Sequence, residues 1–558
     1  MVHVSRNTRG LYLSEKALLE LGLLPNGFPG VSKSQAAPVD EPSSVDSRPT
    51  SAAASCDEDD IPCLERTTTP DIPEKLPFPA TKENLPRFEK YFLSTFSSSA
   101  FNTCTHQPLQ QLSGVAMDIK LKDDGPPPAY VSTPIPVPHH WKTRVKADLD
   151  RDVRLGIIEK VPQGNMSPWC SRMVVVPKAN GKPRRTVDLQ KLNEATVREV
   201  HHTPSPINLV STIPAGKVKT VLDAWNGYHS LELSEDSRDA TIFITDWGRY
   251  RYCRGPQGFH GTGDAYTRRF DDITADETEY VRCIDDGCLW DDDIEKAFWH
   301  TFRHLKHCAD NGIVFNPEKF KFARETVEFA GFDVTLDGYK PAESTLAAIK
   351  NFPTPTSITD IRSWFGLVNQ VAYTFSQSRI MEPFRDLLKK GQKFYWDDRL
   401  QTLFQQSKSE ILRRAEEGVR SYDLHKPTCL TTDWCKIGLG FALTQKHCKC
   451  SGTINPNCGK GHWKLVFAGS RFTKKNERDL FSPTEGECLA AVYGLTRCRM
   501  FTLGCPNLTL VVDHRPLLGV LNDRSLDSIE NPRLLKLKEK TLPFKFNIMH
   551  VPGSSDVI

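Results

Sequence analysis

Short runs rich in β-branched residues, such as RMVVVPK at 172–178 and KTVLDAW at 219–225, alternate with longer stretches of helical period such as EKAFWHTFRHLKHCADNG at 295–312. That alternation predicts an α/β chain from about residue 128 onward. Beyond FPTPTS, Ile361, Trp364, Phe365 and Val368 fall at i, i+3, i+4 and i+7, so a helix is expected there with Thr359 as its cap. Helical period continues to EILRRAEEG, and a second β-rich block opens near Thr428. No repeat of fixed period runs through the chain.

The amino-terminal part reads differently. LSEKALLELG predicts one helix, with Ser14 as N-cap, Leu18, Leu19 and Leu21 apolar, and Gly22 as its stop. A lone helix of that length is marginal in water. Residues 31–70 hold 21 Pro, Ser, Thr or Ala among 40 positions, no aromatic, and the acidic run Asp57, Glu58, Asp59, Asp60. Such a stretch buries too little surface to offset chain entropy, so a disordered linker is expected.

Composition narrows the class. A chain of 558 residues is long enough for three or four domains. With 72 Lys and Arg against 69 Asp and Glu, net charge is no argument for nucleic acid, and only local distribution can be. Residues 171–202 carry seven Lys or Arg against three Asp or Glu, which suits either a solvated face or a surface that tracks phosphates. No apolar run approaches a membrane span, and MVHVSRNTRG lacks the apolar stretch of a secretory signal. A soluble, intracellular protein is expected, with cytoplasm and nucleus left open. Sixteen Cys are far too few for a disulfide scaffold, so most are expected as reduced thiols.

The candidate chemistry lies in carboxylates. RCIDDGCLWDD sets Asp285 and Asp286 between two apolar stretches, a pattern that suits a β-hairpin with both acids at its turn. Asp-Asp also occurs at 59, 123, 271, 291 and 397, where a solvated acidic surface is the better reading. What distinguishes 285–286 is another strand-end acid, Asp223, in KTVLDAWNGYHSLEL. Three carboxylates on one edge repel unless cations sit among them, and two Mg²⁺ (or Mn²⁺) ions held this way suit an in-line phosphoryl transfer from a nucleotide to a primer 3′-hydroxyl.

The ordered series KPRRTVDLQKLN, LDAWNGYHSLEL, GRYRYCRGPQGF, CIDDGCLWDD, NPEKFKF and FAGF resembles the polymerase of gypsy-type long-terminal-repeat retrotransposons, relatives of the retroviral reverse transcriptases. The six motifs stand in family order over roughly residues 90–558. The resemblance implies a right-hand polymerase of fingers, palm and thumb, binding a primed RNA or DNA template and dNTPs. Carried over by position, it makes Asp223, Asp285 and Asp286 the metal-binding triad and Tyr228 the aromatic that excludes a ribose 2′-hydroxyl. Lys178 and Arg184 match the basic pair at the incoming triphosphate, and Gln257 the residue near the nucleotide sugar. Lys319 matches the acid for the leaving pyrophosphate, with Lys321 as competitor. Phe329, Gly331 and Phe332 match the hairpin that holds the primer end. Tyr228 and Phe329 would otherwise be ordinary core aromatics, and Lys319 an ordinary surface lysine. Two positions depart from the pattern: Cys283 stands where Tyr is usual, and Gly287 where a larger residue is usual, which is expected to loosen the hairpin.

The block from 428 repeats the logic. CLTTDWCKIGLGFALTQ ends a strand on Asp433, TEGECLAAVYGL opens a helix with Glu487, and LTLVVDHRPL ends a strand on Asp513. This order resembles ribonuclease H, which uses two Mg²⁺ to hydrolyse the RNA of an RNA–DNA hybrid. Glu485 is the alternative to Glu487, and an acid at a helix start also complements the macrodipole. The resemblance places a fourth acid beyond VPG, so a carboxy-terminally truncated domain is expected. NPRLLKLKEK offers Arg533, Lys536, Lys538 and Lys540 as a basic stripe for the hybrid backbone. Between the strands after Asp433, Cys448, Cys450, Cys458 and His462 form C-x-C-x7-C-x3-H, which suits a tetrahedral Zn²⁺ or is a set of unliganded loop cysteines.

The resulting division is 1–30, similar to the end of a retropepsin; 31–90, linker; 91–345, fingers and palm; 346–425, helical thumb or connection; and 426–558, a truncated ribonuclease H-like domain. With no Asp-Thr-Gly or Asp-Ser-Gly, no protease activity is expected. The rival reading is a catalytically weak or inactive retroelement-derived protein that grips primer-template without extending it.

Overall fold

A computed structural model describes residues 69–103, 109–178, 181–225, 227–389, 391–448 and 462–552. The helix expected at LSEKALLELG and most of the expected linker lie outside these residues. The linker nevertheless ends earlier than residue 90. Leu85–Thr95 is a helix, α1, with Pro86 in its first turn. Leu85, Phe88 and Phe92 recur at helical spacing, and all three are buried. The composition that argues for disorder stops at residue 70, and a phenylalanine face supplies what the linker lacks.

The chain then threads between two sheets. β1 (Ile158–Lys160), β2 (Ser171–Pro177) and β3 (Pro183–Val187) come first. β4 (Val218–Asp223) leaves for a second sheet, and β5 (Phe243–Thr245) and β6 (Gly248–Tyr252) return to the first, whose order is β1-β6-β5-β2-β3. After α2 (His260–Ile273) come β7 (Tyr280–Cys283) and β8 (Asp286–Asp291), then α3 (Ile294–Asp310) and β9 (Lys321–Arg324). The second sheet runs β7-β8-β4-β9 and is antiparallel throughout. Its central strands β4 and β8 are buried except at their ends; β8 buries Gly287 to Trp290, while β4 buries Lys219 and Thr220 with Val221 and Leu222, the Lys219 amine donating to the Thr335 carbonyl at 2.6 Å. α3 covers this sheet, and Phe298 and Phe302 on it meet Phe88, Phe92 and Phe96, with centroids 4.9–6.3 Å apart.

A third sheet, β10-β11-β12-β13, follows: β10 (Val327–Phe329), β11 (Phe332–Val334), β12 (Gly338–Pro341) and β13 (Val419–Arg420). Between its last two strands lie α4 (Ile358–Val371), α5 (Gln377–Arg385) and α6 (Asp398–Glu417). The cap of α4 is Ser357 and not Thr359. Ser357 accepts from the Asp360 amide while the Asp360 carboxylate accepts from the Ser357 amide, a reciprocal box that Thr359, already inside the first turn, cannot make. The 346–425 segment is thus helical but ends in a strand that returns to the β10–β12 sheet.

The last sheet is β16-β15-β14-β17-β18, from β14 (Thr428–Trp434), β15 (Gly438–Lys446), β16 (Trp463–Phe472), β17 (Leu508–Val512) and β18 (Asn547–His550). β14 and β17 are parallel, and α7 (Pro483–Arg497) crosses over between β16 and β17. Helix α5 docks on this sheet through the Ser378 and Ser470 hydroxyls, 2.9 Å apart and buried. Among the described residues no helix is long and apolar enough to cross a membrane.

Candidate functional site

β4 and β8 are in register with Asp223 opposite Asp286, each at the point where its strand leaves the core. Across the β7–β8 hairpin, Cys283 pairs with Asp286, which leaves Ile284 and Asp285 as a two-residue turn. The Asp285 carbonyl accepts the Ala224 amide at 2.8 Å, and the Asp223 carbonyl accepts the Asn316 amide at 2.8 Å. The first ties the turn to the end of β4, so Asp223 and the consecutive pair Asp285 and Asp286, distant from it in sequence, share one edge.

Their electrostatics follow from the crowding. Burial, then hydrogen bonding to the Asp223 carboxyl and its charge, push the Asp286 carboxyl up to about 6. Burial and then Asp223 raise Asp285 as well. The Asp285 Oδ1 atom is buried without a hydrogen-bond partner. Two crowded carboxyls whose ionisation is disfavoured by burial and by a neighbouring acid, with an orphaned oxygen among them, are a donor set that a divalent cation would satisfy. Lys319 Nζ sits 2.6 Å from Asp223 Oδ2, and that hydrogen bond raises the amine. Lys321 lines the same cleft of about 720 Å³, but it is Lys319 that touches an acid.

The other expected residues lie at different depths. Tyr228 is half-buried edge-on to Tyr266 at 5.5 Å; burial raises its phenol, with a further push from the charge of Asp285. Lys178 and Arg184 are exposed on the β2–β3 hairpin, and Gln257 is exposed ahead of α2. The β10–β11 turn consists of Ala330 and Gly331 at φ 52° and 84°, the left-handed conformation of a tight hairpin. Phe329 and Phe332 are 2% and 9% exposed, so their rings build core and the backbone tip faces the cleft. Gly287 does not loosen its hairpin: the Tyr280 ring fills the space, and a Cβ there would lie 3.0 Å from its hydroxyl.

The second acidic site is tighter. Asp433, Glu487 and Asp513 offer carboxylate oxygens within 4.8 Å of one another, the one such group of three among the described residues. Parallel pairing of β14 with β17 brings the two aspartates side by side, and α7 lays Glu487 across them. Burial, then Asp513 and Asp433, push the Glu487 carboxyl up to about 8. Its Oε2 is buried without a partner. Glu485 does other work: it closes the capping box of α7 with Ser482 and bonds Asn531 at 3.1 Å. Geometry thus groups Glu487 with the two aspartates and gives Glu485 the helix-start role.

One expectation changes. Lys538 is not part of an exposed basic stripe; its amine is buried and donates to the Val520 and Arg524 carbonyls. Arg533 is drawn to the Leu480 carbonyl and Glu485. Of the candidate zinc ligands, Cys450 and Cys458 lie outside the described residues. The feet of that insertion are joined by the His447 amide donating to the His462 carbonyl at 2.7 Å.

The family model described as reverse transcriptase (RNA-dependent DNA polymerase) matches residues 176–334. The one described as the RNase H-like domain found in reverse transcriptase matches 423–542. The Pol polyprotein from transposon gypsy of Drosophila melanogaster is 25% identical over 497 residues, 86% of this chain and 44% of that protein. The Tf2-3 transposon polyprotein of Schizosaccharomyces pombe is 22% identical over 475 residues, 83% of this chain and 33% of that one. The chain thus spans less than half the length of these relatives. Among solved structures, foamy viral protease-reverse transcriptase in complex with RNA/DNA hybrid superposes with a TM-score of 0.68 at 16% identity, over 86% of this chain and 62% of that one. The same enzyme with dsDNA gives 0.70, over 85% and 94%. The first acidic edge falls in the polymerase match and the second in the RNase H-like match, so the chain carries a reverse transcriptase domain followed by a ribonuclease H-like domain and is similar over most of its length to gypsy-type retrotransposon Pol polyproteins.

Proposed function

We propose that the chain extends a primer on an RNA or DNA template from dNTPs, at Asp223, Asp285 and Asp286, and that Asp433, Glu487 and Asp513 cut the RNA of the resulting hybrid. The observation that carries the first activity is the register of Asp223 against Asp286 with Asp285 on the adjoining turn. Mg²⁺ or Mn²⁺ bound there would lower the pKa of the primer hydroxyl and neutralise the leaving pyrophosphate. Asp223 and Asp286 would hold ions from the sheet side and Asp285 from the turn. Tyr228 would close the sugar end of the nucleotide site. Lys178 and Arg184, on an exposed hairpin, would reach its phosphates as a point charge and a fork. Lys319 would release Asp223 and protonate the leaving group. At the second site the unpartnered Glu487 oxygen supports an ion shared by the three acids.

The test is incorporation of labelled dNTPs on a primed RNA template with Mg²⁺ or Mn²⁺. Asp285→Asn preserves volume and removes a ligand charge, so it should abolish incorporation while retaining duplex binding. Parent protein that binds duplex without extending it would support the binding-protein reading instead.

A further inference from the structure

The turn that presents Asp285 is held from behind by Arg282. Ile284 has φ 59°, a left-handed conformation that is strained for a β-branched residue and persists only where surroundings impose it. The Arg282 side chain is 3% exposed. Its guanidinium donates to the Ile284 carbonyl, to the Thr267 carbonyl of α2 at 2.9 Å, and to the Asp271 carboxylate. Its flat face lies 4.3 Å from the centre of the Phe270 ring. Asp271 is gripped in turn by His201 Nε2 at 2.8 Å. One buried fork therefore bolts the catalytic turn to the helix beneath it, through contacts that a lysine's single ammonium cannot reproduce in one plane.

We propose that Arg282 is a positioning residue for the polymerase acids: by fixing the Ile284 carbonyl it sets where the Asp285 carboxylate points when a divalent cation binds. The proposal rests on the polymerase reading of Asp223, Asp285 and Asp286. A group that orients a metal ligand affects metal affinity and turnover more than nucleotide binding.

The test uses the full chain with Glu487→Gln added, so that Mn²⁺ titration followed by electron paramagnetic resonance reports chiefly on the polymerase acids. Arg282→Met should weaken Mn²⁺ binding about tenfold or more and lower kcat in parallel, while KM for dNTP moves less than about twofold. Arg282→Lys, which keeps the charge without the fork, should recover only part. Parent-like Mn²⁺ affinity and kcat in Arg282→Met, or full recovery in Arg282→Lys, overturns the proposal. If Arg282→Met fails to melt cooperatively, Asp271→Asn keeps the arginine and loosens its anchor; it should weaken Mn²⁺ severalfold, and unchanged affinity overturns the proposal equally. If the parent incorporates no dNTP yet Arg282→Met still loses Mn²⁺ affinity, the polymerase reading fails and the positioning role stands.

Discussion

Lys319 Nζ lies 2.6 Å from Asp223 Oδ2, so the lysine occupies from the open side the same carboxylate that Asp286 flanks within the sheet. A cation bound at this edge competes with that amine. Lys319→Gln should therefore lower the Mg²⁺ concentration giving half-maximal incorporation. The shift should stay below about fivefold, because the lysine is mostly exposed and such pairs contribute about 1 kcal/mol or less. Maximal rate should fall with loss of the leaving-group acid. A Mg²⁺ titration of primer extension reads both, and a raised metal requirement contradicts the competition.

Tyr228 packs edge-on against Tyr266 at 5.5 Å, and the charge of Asp285 acts on its phenol. Tyr228→Ala should raise the relative kcat/KM for ribonucleotides about tenfold or more, with a smaller effect on dNTP turnover. Side-by-side extension with dGTP and rGTP measures it; an unchanged ratio makes the ring a core residue and not a gate.

Glu485 and Glu487 stand two positions apart on α7 with separate duties. Glu485→Ala should cost about 1 kcal/mol of stability through the capping box and leave hybrid cleavage in place. Glu487→Gln should reduce cleavage of a labelled RNA–DNA hybrid to background without lowering the melting temperature. Reversed outcomes would exchange the two roles.

Phe92 on α1 is fully buried against Phe298 and Phe322 at 5.1 Å each. Phe92→Ala should destabilise the protein by about 3–5 kcal/mol in urea unfolding. A loss under about 1 kcal/mol would return residues 85–90 to the linker.

His300 lies between Asp291 at 3.1 Å and Glu277 at 3.5 Å. Burial alone would lower its pKa, but the hydrogen bonds and charges of the two acids prevail and hold it at about 9. A folded-state pKa above the unfolded 6.5 means stabilisation that is complete below pH 6.5 and lost as pH climbs through 9. The parent should accordingly melt lower at pH 9.5 than at pH 6.5, and His300→Gln should show a flatter profile across this window. Parallel profiles for the two proteins would remove His300 as the cause.

Several features were legible in sequence because they depend on neighbours along the chain. Apolar strands running into Asp223, Asp433 and Asp513, and an acid pair between two apolar runs at 285–286, mark where strands leave a core. The ordered motifs then placed those ends in a polymerase and a ribonuclease H-like domain. Turn chemistry was less legible: Ser357 rather than Thr359 caps α4, because a capping box depends on one hydrogen-bonding pair and not on apolar period.

The tertiary structure decided whatever depends on pairing between distant segments. Composition near residue 90 says nothing of the α3 phenylalanines waiting 200 positions later, so only packing shows that α1 is core. Glu485 and Glu487 are equivalent as residue types until parallel pairing of β14 and β17 brings two aspartates under one of them. Lys538 reads as surface charge until the Val520 and Arg524 carbonyls capture it. Arg282 reads as an ordinary strand residue until α2 lies beneath the turn. Sequence by itself determined which side chains carry charge and where strands end; the register of β4 on β8, set by burial of both strands, decided which charges meet.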